Sequence, residues 1–74
     1  MDIKNTSQEL NNLGQNLVEI RTRLANQIPA LVECNIDNYF LANATLVLSN
    51  LSRYAKYLTD ISGQLDKMES NSSA

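Results

Sequence analysis

Apolar residues recur at Phe40, Ala44, Val47, Leu51, Tyr54, Leu58, Ile61, Leu65 and Met68, alternating steps of four and three without a break. That 3.5-residue period keeps one stripe facing a partner along the whole helix, so the segment reads as a long helix packed lengthwise against other helices. A second run, Leu10, Leu13, Leu17, Ile20 and Leu24, has the same spacing, and Val18, Ala25 and Val32 widen it on one side. Thr6 followed by Glu9 forms a capping-box pattern, with Ser7 as an alternative cap and Ile3 placed to staple onto the first turn. The phase runs through Ile28 and Leu31, past the single proline, Pro29. A helix bent there and continuing to Glu33 fits this phase, and a stop near Gln27 is the alternative. Gly14, inside the first pattern, either weakens the helix or admits another backbone closely.

The turn-like residues Cys34, Asn35, Ile36, Asp37 and Asn38 separate the two seams, with Asn35 or Asp37 as the next cap. A short connection makes neighbouring helices antiparallel. The predicted fold class is therefore all-α: an antiparallel helical hairpin with helices over about 6–33 and 37–68. It forms one domain over 1–69, followed by a Ser/Asn tail over 70–74 expected to be disordered.

The 38–52 segment has no charged residue, and its apolar groups occupy more than one face. Leu41, Leu48 and Ala55 make a second stripe, and Tyr39, Leu46 and Tyr57 lie off the seam. A helix apolar on most sides is covered on most sides, which one hairpin partner cannot do. At 74 residues a single core is also marginal. Both arguments predict completion to a four-helix bundle, either by a second copy or by another protein. Tyr39, Leu41, Leu46, Leu48 and Tyr57 are the expected partner-binding residues.

Chemistry enters mostly by exclusion. The chain has no histidine, one cysteine, six basic and eight acidic residues, and a net charge of −2. Catalytic, cofactor-binding and metal-ligating residues are therefore expected to be absent: no Gly-rich phosphate loop and no nucleophile beside a base can be assembled. Cys34 has no second cysteine to pair with and reads as a small residue at the helix junction. The scattered basic residues, with Arg21 and Arg23 as the one local pair, do not make a nucleic-acid footprint. No apolar run is long enough to cross a membrane and the start lacks a secretory leader pattern, so a cytoplasmic location is expected, with specialised secretion left open.

The stretches Phe40-Leu41-Ala42-Asn43 and Leu48-Ser49-Asn50-Leu51-Ser52-Arg53-Tyr54 resemble the C-terminal helix of type III secretion needle subunits. Those small helical-hairpin proteins carry Leu-Ala-acidic and Leu-Ser-acidic-aromatic runs; here Asn43 and Asn50 stand at the acidic positions. The junction also lacks the polar proline-containing loop of many members, and the Ser/Asn tail replaces a helix they use in polymerisation. What the resemblance implies is a hairpin that works by helix packing, a plan similar to that of the small chaperones of the same system. The resulting expectation is a non-enzymatic assembly subunit, adaptor or chaperone acting through the second helix. The alternative is a small inhibitor or regulator, of the kind mobile elements carry, that docks on and occludes a larger machine.

Overall fold

The computed structural model describes residues 2–73, which form two helices: α1, Ile3–Glu33, and α2, Asn38–Ser73. They fold back on each other as an antiparallel hairpin 59 Å long and 15 Å across. The all-α hairpin expected from the two seams is the fold.

The helix boundaries differ from those read in the sequence. α1 starts three residues early because Asp2 is its N-cap, its Oδ1 accepting the Asn5 N–H at 3.2 Å. A carboxylate there serves an orphan amide and complements the positive helix terminus. Thr6 and Ser7 are thereby inside the helix instead of capping it. α1 runs through Pro29 to Glu33. Proline removes one backbone donor, at a cost of about 3 kcal/mol in a helix interior, and lengthwise packing on α2 is what this cost is set against. At the far end α2 continues to Ser73, so helix occupies the 70–73 part of the expected tail; Ala74 lies outside the described residues.

The turn is built by Asn35 and Asp37. Asn35 has φ +56°, the left-handed conformation that Asn tolerates better than most residues. It places the Asn35 N–H on the Val32 carbonyl at 3.1 Å and the Ile36 N–H on the Leu31 carbonyl at 3.3 Å. These two bonds form a Schellman closure of α1. Asp37 then caps α2, its Oδ1 accepting the Tyr39 N–H at 2.9 Å and its carbonyl accepting from Phe40 and Leu41.

The interhelical seam is narrow and made largely of small groups. At the open end the Ser7 and Ser62 hydroxyls lie 2.8 Å apart, and Ser62 Oγ donates to the Ser7 carbonyl at 2.9 Å. One heptad along, Gly14 faces Ala55: a Cβ added at Gly14 would stand 3.2 Å from the Ala55 carbonyl oxygen and 3.0 Å from Thr59 Cγ2. In this antiparallel register Arg21 comes level with Leu48 and Ile28 with Leu41. By the same register the intervening layers set Leu10 level with Leu58, Leu17 with Leu51, and Leu24 with Ala44. Among the described residues Ala55 is the one buried hydrophobic residue, Ser7 and Ser62 are also buried, and no large side chain is fully buried.

The two glycines therefore make opposite predictions. Gly14→Ala gains about 1 kcal/mol of helix propensity but presses a methyl on a backbone carbonyl, an overpacking cost of about 1–3 kcal/mol; its net effect should be a lower thermal midpoint. Nothing lies within 4 Å of a Cβ at Gly63, so Gly63→Ala should raise the midpoint by the full propensity gain of about 1 kcal/mol. Thermal denaturation followed by circular dichroism checks both, and a stabilised Gly14→Ala variant would contradict the close approach.

Candidate interaction face

α2 is rotated about its axis relative to the orientation its hydrophobic pattern suggests. The stripe facing α1 is Leu41, Ala44, Leu48, Leu51, Ala55, Leu58, Ser62 and Leu65, whose members are half-buried or buried. Of the nine residues read as the seam, Ala44, Leu51, Leu58 and Leu65 hold that place. Phe40, Val47, Tyr54, Ile61 and Met68 do not, and remain 45–56% exposed. The rotation goes with backbone proximity: at the Gly14 and Ser7 layers, where the helices approach closely, the inward residues of α2 are the small Ala55 and Ser62.

This rotation divides the expected partner-binding residues. Leu41 and Leu48, taken as a stripe separate from the hairpin contact, lie on the intramolecular seam. Tyr39, Leu46 and Tyr57 are more than half exposed and point away from it. The Tyr39 and Phe40 rings meet edge to face with centroids 5.3 Å apart, and the Tyr54 and Tyr57 rings are tilted at 6.3 Å.

The hairpin's two long sides differ. In heptad terms the residues just before each first seam position line one side: Thr6, Leu13, Ile20 and Gln27 from α1, with Phe40, Val47, Tyr54, Ile61 and Met68 from α2. Seven of the nine are apolar or aromatic and 41–56% exposed, and the polar Thr6 and Gln27 lie at the two ends of the α1 row. The residues just after each second seam position line the other side, where shallow grooves group Val18, Ser52 and Thr59, and Lys4, Asn11 and Asp66. One side is thus an uncharged strip, apolar along α2 and at Leu13 and Ile20 of α1, and the other mixes Val18, Ala25 and Val32 with hydroxyl, amide and charged groups. The strip's α2 rim is Asn43, Asn50, Tyr57 and Gln64; its α1 rim is Glu9, Asn16, Arg23 and Ala30.

Polar chemistry is confined to small structural features. Ser7 Oγ donates to Asp66 Oδ1 at 2.6 Å and also lies 3.0 Å from the Ser62 carbonyl; its single proton is best placed on the carboxylate, where the bond is charge-assisted. The sequence reading missed this Ser7, Ser62 and Asp66 cluster, although both serines fall on the 3-4 repeat. Lys56 pairs with Asp60 at 2.7 Å, a hydrogen bond that raises the lysine pKa; the pair is solvent-exposed and adds little to stability. Among the described residues no three His, Cys, Asp or Glu side chains are grouped to hold a metal ion, and Cys34 is exposed at the turn. No helix among the described residues is long and apolar enough to cross a membrane. The chain matches no family model, and comparison with curated proteins and with solved structures found no match.

Arg21 is the one charged group on the α1 seam, and its Nε is shielded from solvent without a hydrogen-bond partner. An unsatisfied buried donor costs about 1–3 kcal/mol. Arg21→Leu removes that donor and adds apolar contact to the layer of Leu48, so it should raise the thermal midpoint by an amount equivalent to about 1–2 kcal/mol. Leu48→Lys places a charge in the same layer and should instead lose helicity with a cost of about 3 kcal/mol. Circular dichroism melts of the two variants check the pair, and a Leu48→Lys protein with unchanged helicity and midpoint would contradict the seam.

Proposed function

We propose that this chain is a non-enzymatic protein–protein interaction module, a small assembly subunit, adaptor or chaperone, that completes its core by packing the exposed apolar strip of its hairpin against further helices. The observation that carries this reading is the strip itself: seven large apolar side chains aligned on one side, none more than about half covered, in a molecule whose seam fully buries no large residue. Contiguous apolar patches of several hundred Å² are uncommon on soluble monomers outside contact sites. Composition supports the same reading, because a chain without histidine and with one cysteine has few groups for acid–base or nucleophilic chemistry. The surface assigned to the partner is Phe40, Val47, Tyr54 and Ile61 with Leu13 and Ile20, flanked by Tyr57; Tyr39 and Leu46 extend it at the turn end.

The test compares wild type with the Val47→Lys, Ile61→Lys double variant by light scattering, circular dichroism and fluorescence of an apolar-surface dye. Wild type should either associate or bind the dye strongly. The double variant should be a monodisperse monomer of unchanged helicity with weak dye binding, because both positions lie off the intramolecular seam. A monodisperse wild-type monomer that binds no dye would overturn the reading.

A further inference from the structure

We infer that the apolar strip is covered by a second copy of this chain, packed face to face and antiparallel about a two-fold axis that passes near Tyr54. The inference rests on the interaction reading above and names its partner. Three properties of the strip lead to it.

The first is size. From Phe40 to Met68 the strip spans about 42 Å at 1.5 Å per residue, and the hairpin is 15 Å across. That gives roughly 600 Å² per copy and about 1,200 Å² buried in a pair, at the lower end of the range for specific, stable interfaces.

The second is symmetry of the side chains. A two-fold contact sets a surface against itself, so it requires a strip that complements its own reversed copy. With the axis at Tyr54, the heptad spacing brings Val47 of one copy against Ile61 of the other, and Phe40 against Met68. On α1, Leu13 of one copy meets Ile20 of the other. These pairings are apolar on apolar, the polar Thr6 and Gln27 fall against each other at the ends of the α1 row, and the two Tyr54 rings meet at the centre.

The third is charge. The strip has no charged residue, so stacking two copies brings no like charges together. Its rims carry one acid and one base, Glu9 and Arg23, two helical turns to either side of Asn16. Gly14 lies beside Ala55, so Asn16 is within about one turn of the level of Tyr54. Reversing the second copy about this axis sets Glu9 of each chain beside Arg23 of the other, twice per dimer. The alternative two-fold, parallel to the helices, lays α1 over the partner copy's α2 and sets Glu9 and Arg23 against an uncharged rim. Such rim pairs add little affinity but select orientation. On the opposite side the exposed Val18 and Val32 are interrupted by Lys4, Asn11, Ser52, Thr59 and Asp66, which leaves no matching strip, so the association closes at two.

Sedimentation equilibrium should give twice the chain's mass at micromolar concentration. In a Cys34→Ser background, Tyr54→Cys should form a disulfide-linked dimer on mild oxidation, whereas Ser52→Cys on the polar side should not. Glu9→Lys alone and Arg23→Glu alone should each weaken the dimer several-fold, and the two together should restore it. A monomer that binds the apolar-surface dye overturns the second copy while the interaction reading stands, and a monomer that binds none overturns both. A dimer crosslinked through Ser52→Cys instead of Tyr54→Cys overturns the assigned face. A dimer that the double charge exchange does not restore overturns the antiparallel arrangement.

Discussion

The distance between the backbones of α1 and α2 at Gly14 is the constraint from which the rest of the molecule follows. With a carbonyl 3.2 Å from where a side chain would begin, the layer has room only for Ala55 across from it. One heptad away the Ser7 and Ser62 hydroxyls lie 2.8 Å apart and Ser62 Oγ donates to the Ser7 carbonyl across the seam, so that layer is close as well. Together they fix the rotation of α2. Once Ala55 and Ser62 face inward, their bulky neighbours Tyr54 and Ile61 must face sideways.

That rotation changes what the hairpin can do alone. Burying apolar surface is worth about 25 cal/mol per Å², and a seam of Gly, Ala and Ser contributes little of it. The Leu layers between them supply most of the intramolecular gain, while the aromatic and branched residues are half spent, touching the hairpin with one edge and water with the other. The two long sides of the molecule consequently have different characters, one suited to packing and one to solvent, although both derive from the same heptad pattern.

The architecture was legible because two runs of 3.5-residue period flank a single turn signal, and the proline was passed correctly because the phase of Leu24, Ile28 and Leu31 does not slip across it. The inward face of α2 was not legible from hydrophobicity. Phe40, Val47, Tyr54, Ile61 and Met68 form a more apolar series than Leu41, Leu48, Ala55 and Ser62, and ranking by apolarity selects the wrong one of two adjacent stripes. The missing signal was size: Gly14 and Ser7 on α1 call for small partners in the same antiparallel register, and only the less apolar stripe of α2 has them. Tyr39, Leu46 and Tyr57 were placed outside the seam in both views, whereas Leu41 and Leu48 changed sides with the rotation. The start of α1 was missed for a local reason, since Asp2 is as good a cap as Thr6 and lies one turn earlier.

A seam with Ala55 as its buried hydrophobic residue also has a calorimetric consequence. The heat-capacity increment of unfolding follows the apolar surface newly exposed to water, and the isolated hairpin keeps much of that surface in water already. Its stability should therefore vary only shallowly with temperature, with a small denaturant slope for its length. Pronounced curvature belongs to whatever state covers the strip.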